Sequence, residues 1–572
     1  MLHPNDAAQE KQGGFQTLTD RRTAQQPTPA TAAVPSTRIL VAGDSTFAQL
    51  AAEELVQEGI PVVLAVSRRL APEQRPIAVE SGPELTRLEG TQIVSCKGSI
   101  GNFQVVFSGG RRKRRERFSL VFLSPETLRR ADYRFYGLEP SESVLPLSRV
   151  SGMPDDAETK AFYRSMSGKE GACIVLLVGM AREGNPVIMA EAMKAAMDLQ
   201  QATGARCYML SNNIKVAARG IEELYYDSRL AGVTYFKPAD GLPAITVENG
   251  NVKSISFRDD TTQESIVLEP DRVILGENIV PGPQFSAFAQ VFGLDTDDAG
   301  FLQTGNAHRW PIHTNRPGIY AVGPARQPQT EACRELDIKS SIVALQLFRQ
   351  APAVHKTEDL PRIEPDRCIH CLTCYRICPY RAIDFVDGNP TITDACQGCF
   401  LCSAECPREA ITLRKEAKEA LSGELTGHPS AAMENRFAPR LTLFACRRSA
   451  MPAAETAVLT SCPVTSAIEC HAVPCAGSIR VDQVLAAFSA GTDGVLLLSC
   501  HDGNCHSENG SRHARRRIED FRRLLPLMGV SPQRLSIQSL AANMGAEFSR
   551  CLSEFEASIR SLGPVRKGQP DV

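Results

Sequence analysis

The chain has 572 residues, a length that allows roughly four domains at ~150 residues each. Its 63 Lys and Arg against 65 Asp and Glu leave a formal charge of −2, which excludes bulk electrostatic binding of nucleic acid. At 43% apolar and 22% charged residues the chain can bury proper cores, so a largely disordered protein is excluded too; the unusual number is 19 cysteines.

Residues 1–36 are rich in Gln, Thr, Ala and Pro, carry Phe15 as their aromatic, and predict a disordered leader. The opening MLHPNDAAQEKQGGFQTLTD lacks the apolar segment of a secretory signal. The best apolar run, Ala172–Ala181, has about half of the ~20 residues a membrane helix needs, which predicts a cytoplasmic protein with no direct membrane span, with peripheral placement on the inner face of the cytoplasmic membrane through partner subunits as the alternative. In a reducing compartment, clustered cysteines point to metal ligands rather than disulfides.

Arg38–Val66 reads as strand, tight turn, helix, strand: a βαβ unit. A dinucleotide fingerprint would set glycines at 43, 45 and 48, where a pyrophosphate meets the helix-start amides; the chain offers Gly43, Ser45 and Ala48. Asp44 stands beside the expected phosphate. The second strand runs on into Ser67-Arg68-Arg69, where an acid for the ribose is expected. Arg111–Arg117, directly after Gly109-Gly110, predicts a hairpin tip. A solvated loop is its plain reading; docking to an acidic partner or anionic lipid is the alternative.

Between 368 and 411 one cysteine pattern occurs twice, every matched pair being 28 residues apart. The first copy is Cys368, Cys371, Cys374, Cys378, Pro379 and Ala382-Ile383; the second is Cys396, Cys399, Cys402, Cys406, Pro407 and Ala410-Ile411. The run C-x2-C-x2-C-x3-C-P is the two-cluster ferredoxin signature, in which the last cysteine of each run serves the other cluster. Cys368, Cys371, Cys374 and Cys406 are therefore assigned to one [4Fe–4S] cluster, and Cys396, Cys399, Cys402 and Cys378 to the other. Structural zinc is the competing reading, but zinc motifs pair ligands two and two rather than three and one.

From Leu441 the pattern turns α/β. Leu441–Ala445 predicts a strand ending at Cys446, Val481–Ala490 a helix stopped by Gly491, and Gly494–Ser499 a buried strand running into Cys500-His-Asp-Gly-Asn-Cys505-His. Ligands in open α/β sheets gather at the carboxyl ends of strands, where Cys446 and Cys500 both fall.

Several stretches resemble known families. LLLSCHDGNCHSENG with HARRRIEDFRRLL, PCAGSIRVDQVLAAF and the late SLGP resemble the delta subunit of methyl-viologen-reducing hydrogenase over residues ~440–564. That resemblance implies a [2Fe–2S] domain with Cys446, Cys475, Cys500 and Cys505 as ligands. The family carries several cysteines at its first strand end, whereas this chain has only Cys446 in FACRR, which leaves Cys462 and Cys470 as reserve ligands. Zinc and unconnected buried thiols stay open as alternatives. His501 and His506 are read as neighbours of the ligands or surface residues, and Arg515, Arg516 and Arg517 as a solvated helix face or an electrostatic rim.

Thr314–Arg326 resembles the late FAD motif of two-dinucleotide-domain flavoproteins, with Gly318 and Gly323 as matching positions and Pro324 where many members have Asp. Arg272–Gly276 resembles their strand-to-crossover segment. Together with SCKGSIGNFQVVF and CIVLLVG, the order of segments resembles the heterodisulfide reductase A chain over residues ~37–350, a family that binds FAD there. Its cysteine-rich insertions are missing: between Cys96 and Cys368 stand only Cys173, Cys207 and Cys333. An FAD site and a fold kept as scaffold are both open.

The fold class expected is α/β multidomain. It comprises an FAD/NAD(P)-binding Rossmann-like region over 37–352, an α+β bacterial-type ferredoxin domain over 358–416, and a carboxy-terminal α/β iron–sulfur domain over 438–565. That order resembles the B-type chain of the quinone-interacting membrane-bound oxidoreductases. The resemblance implies an electron-transfer subunit whose partners include a membrane quinone-reactive subunit, together with a second flavin/iron–sulfur subunit, linked to adenylylsulfate reductase. Membership of a heterodisulfide reductase- or hydrogenase-type complex is the alternative. A self-contained pyridine-nucleotide flavoenzyme would need a second glycine fingerprint, which is not found, and an assembly subunit with an eroded flavin domain is the remaining reading.

Overall fold

Leu40, Val63 and Val121 lie at the centre of a parallel sheet whose strands are apolar on both faces, as a sheet covered on both sides requires. Its strand order is Ile319–Ala321, Leu120–Leu123, Ile39–Ala42, Val62–Ala65, Leu85–Leu88, all parallel. One face is covered by helix Thr46–Gln57, through Phe47, Ala48, Ala51 and Leu55, and by helix Glu331–Gln350. The other face carries helix Pro283–Phe292 and an antiparallel sheet of Gln92–Lys97, Phe103–Gly109 and Arg112–Phe118. This computed structural model describes residues 38–68, 85–109, 112–151, 157–166, 171–181, 184–303, 305–350, 360–386, 388–393, 395–412, 437–459 and 468–565. The expected leader and Cys462 lie outside the described residues.

The arginine run is not a hairpin tip. Arg112–Phe118 is itself a strand, paired along its length with Phe103–Gly109. The alternation that makes it one is hidden by charge: Glu116 and Phe118 point inward while Lys113, Arg115 and Arg117 face solvent. Arg38 and Arg114 neutralise the buried Glu116 carboxylate. A charged edge strand also resists pairing with foreign strands.

A second parallel sheet has the order Thr234–Phe236, Arg206–Leu210, Cys173–Leu177, Arg272–Leu275, Val144–Pro146. Helix Pro186–Thr203 packs on it, started by the Asn185 side chain on the Val187 amide and ended by Gly204 at φ 68°. The antiparallel pair Thr127–Ala131 and Glu277–Pro281 connects the two sheets.

The ferredoxin region repeats its backbone as it repeats its cysteines. Left-handed residues recur at matching places: His370 and Gly398, Leu372 and Phe400, Arg381 and Glu409. Each copy starts a short helix after its left-handed residue, Thr373–Ile377 and Leu401–Ala404. Strand Arg362–Ile363 pairs with Ile411–Thr412, and Ile383–Val386 with Asn389–Ile392.

The carboxy-terminal sheet is parallel, in the order Ile468–Val473, Leu441–Cys446, Gly494–Ser499, Leu535–Ser539. Helices Ala450–Leu459 and Gly545–Leu562 cover one face; Val481–Ser489 and Gly510–Arg522 cover the other. All these belong to one compact unit, Thr37–Val572. Among the described residues no helix is long and apolar enough to cross a membrane.

Candidate iron–sulfur sites and the dinucleotide end

The two cysteine runs of the ferredoxin region exchange their last members in space. Burial pushes the Cys374 thiol up, and the thiols of Cys368, Cys371 and Cys406 press it the same way. Burial likewise holds Cys402 far above its ordinary value, followed by Cys399, Cys396 and Cys378, with Cys374 the weakest neighbour. Two sets result, each of three thiols from one run and one from the other. Cys368, Cys371, Cys374 and Cys406 line one pocket with Ile363 and Pro390. Backbone amides reach the crossing sulfurs: Ala382 N–H lies 3.4 Å from Cys378 Sγ, and Ala410 N–H 3.3 Å from Cys406 Sγ. All-thiol donor sets with backbone amides on the sulfur fit [4Fe–4S] clusters.

The carboxy-terminal sheet makes a smaller set. Cys446 ends one strand and Cys500 follows its parallel neighbour, leaving their sulfurs 3.8 Å apart. Cys505 interacts with both Cys475 and Cys500, and Cys475 also feels Cys446. All four are at most 4% exposed. A hydrogen bond from Cys500 draws Cys446 down to about 6. Hydrogen bonds from Cys475 and Cys500, then the Ser511 and Ser507 amides, hold Cys505 far below its ordinary value. Cys475 and Cys500 are pushed up by the same contacts.

Two glycines make that approach possible. A Cβ on Gly510 would stand 2.2 Å from Cys475 Sγ and 3.6 Å from Cys505 Sγ, and one on Gly477 would stand 2.9 Å from the Gly510 carbonyl oxygen. The Gly477 N–H donates to Cys475 Sγ at 3.4 Å. Cys470 is buried against Met451, 3.9 Å from its sulfur, outside the set. His506 Nδ1 lies 3.8 Å from Cys500 Sγ, whereas His501 turns away to Met544. Arg517 is not a solvated face: it donates to the Gly477 and Ile479 carbonyls and pairs with Glu405 of the ferredoxin region. Among the described residues no three His, Cys, Asp or Glu side chains converge as ligands of a single ion do. The donor chemistry of the four thiols, with amides on their sulfurs, fits a small iron–sulfur cluster.

The dinucleotide end is built differently. Gly43, at φ 139°, lies so close to Ser124 that a Cβ would meet its carbonyl oxygen at 2.0 Å. Ser45 turns its hydroxyl onto Ser124 and caps its own helix by accepting from Ala48 N–H at 3.1 Å. The Asp44 amide donates to Gln284, and its carboxylate accepts from the Ser67 amide and hydroxyl. At the late motif, Gly318 makes room for Ile100 and Phe103, and Gly323 for the Phe47 ring, whose nearest carbon would be 2.5 Å from a Cβ. The Gly323 amide is taken by Asp337 at 2.9 Å. The Asp44, Ala48 and Gly323 amides are thus each engaged by a side chain of the chain itself, and Phe47 packs against Gly323, contacts that an FAD bound in the flavoprotein manner would have to displace. Of the remaining described thiols, Cys173 and Cys207 are buried core residues and Cys333 and Cys551 half-buried ones, with burial pushing Cys96 up to about 11 and Cys207 to about 12.

Comparison with known proteins agrees with the modular reading. Residues 361–413 match a 4Fe-4S dicluster domain, and residues 441–563 match the family of the methyl-viologen-reducing hydrogenase delta subunit. Over 134 residues the chain is 30% identical to the D-type iron-sulfur subunit of the F420-non-reducing hydrogenase of Archaeoglobus profundus, covering 23% of this chain and 98% of that protein. Through this domain, the chain belongs to the delta-subunit family. A second group of relatives is of another kind. The chain is 24% identical over 367 residues to the A-type subunit of the ferredoxin:CoB-CoM heterodisulfide reductase of Methanosarcina mazei. That match takes in 62% of this chain but only 44% of the relative, so the chain spans less than half of that protein's length. The T. acidophilum thioredoxin reductase structure overlaps 54% of this chain and 97% of its own at 15% identity and a TM-score of 0.35, too loose to carry an argument. With a dicluster domain and a delta-type domain in one polypeptide, the chain is an iron–sulfur protein of the oxidoreductase type.

Proposed function

We propose that this chain is an electron-transfer subunit of a multisubunit redox complex. Its relay runs over two [4Fe–4S] clusters and a [2Fe–2S] centre held by the delta-type domain. Iron–sulfur clusters take up and pass on single electrons, at potentials set by sulfur hydrogen bonds and exposure. Cys368, Cys371, Cys374 and Cys406 hold the first site; Cys396, Cys399, Cys402 and Cys378 hold the second; Cys446, Cys475, Cys500 and Cys505 hold the third.

The observation that carries the reading is the contact between the second site and the third. Cys399 packs against the same core that contains Cys446, Cys475, Cys500 and Cys505. Tyr380, two residues after Cys378, reaches the His506 carbonyl at 3.1 Å. The first site is lined by the exposed apolar side chains of Ile369 and Leu372. The relay is built from the three cysteine sets, and flavin analysis of the purified chain tests whether an FAD in the first domain joins it.

For partners, heterodisulfide reductase-type and hydrogenase-type complexes fit the relatives' names. The domain order favours a complex serving adenylylsulfate reductase, with a membrane quinone-reactive subunit, plus a second flavin/iron–sulfur subunit. Purification of the tagged chain from its native host decides between them. Co-purification of a quinone-reactive membrane subunit supports that assignment, and a hydrogenase or heterodisulfide reductase catalytic subunit in its place replaces it.

A further inference from the structure

The first domain touches the third cysteine set. Asn306 Nδ2 donates to the Cys505 carbonyl at 2.9 Å and to the Glu508 carboxylate at 3.2 Å. The His308 ring stacks on His506 with centroids 3.4 Å apart, and its Nε2 lies 3.1 Å from the Asn504 carbonyl. Arg309 Nε donates to Glu508 Oε1 at 2.8 Å, and its Nη2 stands 2.5 Å from Oε2 as an ion pair. Both side chains of that pair are over nine-tenths buried, at 8% and 9% exposed.

Both sides of this contact are pre-shaped. Glu508 holds a left-handed backbone at φ 58°, unusual for a residue with a side chain, and bridges back to Cys505. That turn delivers its carboxylate to Arg309. On the facing segment, Asn306 Oδ1 accepts from the His308 amide at 3.0 Å, and the Asn306 carbonyl from the Arg309 amide at 3.1 Å. The loop's other flank meets Tyr380 of the ferredoxin region. A buried arginine–carboxylate pair is weak evidence of stability, but one hydrogen-bonded through Nε and shared with Asn306 fixes the relative placement of the two segments.

We propose that the first domain works as a clamp. Its segment Asn306–Arg309 holds the loop carrying Cys500 and Cys505 against the ferredoxin region and fixes the separation across which electrons cross between the second and third sites. The proposal rests on the reading of Cys446, Cys475, Cys500 and Cys505 as cluster ligands. Arg309 is a positioning residue, not a ligand. The clamp gives the Rossmann-like domain a part in the relay: electron tunnelling falls steeply with distance, so the third site is useful only while its loop stays docked.

The test uses the full chain, reconstituted anaerobically with iron and sulfide, as wild type, as Arg309→Ala, and as the exchange Arg309→Glu with Glu508→Arg. Flash photoreduction reads transfer between the ferredoxin clusters and the third centre, and electron paramagnetic resonance reads the centre itself. Arg309→Ala is expected to retain the third centre's signal while transfer slows roughly ten-fold or more, with partial recovery in the exchange variant. Wild-type transfer in Arg309→Ala, or an exchange variant no faster than Arg309→Ala, overturns the proposal. Hydrogen exchange across residues 500–510 reads the clamp whether or not a cluster is bound: it accelerates in Arg309→Ala if the clamp exists, and unchanged exchange overturns it. Absence of the third centre in wild type, by contrast, removes the cluster reading and leaves the hydrogen-exchange result to decide the clamp.

Discussion

At Gly510 a single hydrogen separates a workable site from a blocked one. A methyl carbon added there would lie 2.2 Å from Cys475 Sγ, which leaves no room for any side chain, since the Gly510 carbonyl is itself held against Gly477. Gly510→Ala is therefore expected to displace Cys475 and cost the chain about two irons, those of the smaller centre, while the ferredoxin signals persist. Iron analysis with electron paramagnetic resonance reads this directly. The crossed ligation is testable at the same scale. Cys406→Ser should damage the cluster of Cys368, Cys371 and Cys374, and Cys378→Ser the cluster of Cys396, Cys399 and Cys402; redox titration of each variant shows which potential is lost. The eight ferredoxin thiols were legible because their spacing is local. Cys475 was legible only by resemblance, since what separates it from Cys470 is the strand register that turns Cys470 toward Met451.

Among the elements, those defined by local pattern came through as read: the βαβ unit, the strand Gly494–Ser499, and the helix Val481–Ser489 before Gly491. Elements defined by distant partners did not. The second parallel sheet joins Cys173–Leu177 to Arg272–Leu275 and Val144–Pro146, strands no local pattern links. The arginine run looked like a loop because charge outweighed its alternation. Helix Glu331–Gln350 illustrates an element tied down by one residue: Asp337, 2% exposed, accepts from the Gly323 amide and from Gln329, and pairs with Arg326. Asp337→Ala leaves a mostly buried guanidinium and an amide without their acceptor, so it should destabilise the first domain by about 3–5 kcal/mol. Urea unfolding followed by tyrosine fluorescence checks the size; a loss below about 1 kcal/mol would mean that water replaces the carboxylate.

Across the whole molecule the cysteines sort by place rather than by number. Those of the first domain are scattered, whereas twelve of those after residue 360 gather into three sets, with Cys470 and Cys551 outside them, that follow one another through Cys399 and Tyr380 toward Cys500 and Cys505. The first domain has a dinucleotide-binding architecture, with its Ala48, Asp44 and Gly323 amides engaged by Ser45, Gln284 and Asp337, and meets the relay through Arg309 and Glu508. Mössbauer spectroscopy of the anaerobically purified full chain tests the three-centre relay most directly. The account predicts about ten irons per chain, some eight in [4Fe–4S] environments and two in a [2Fe–2S] environment. About eight irons with no [2Fe–2S] component would contradict it.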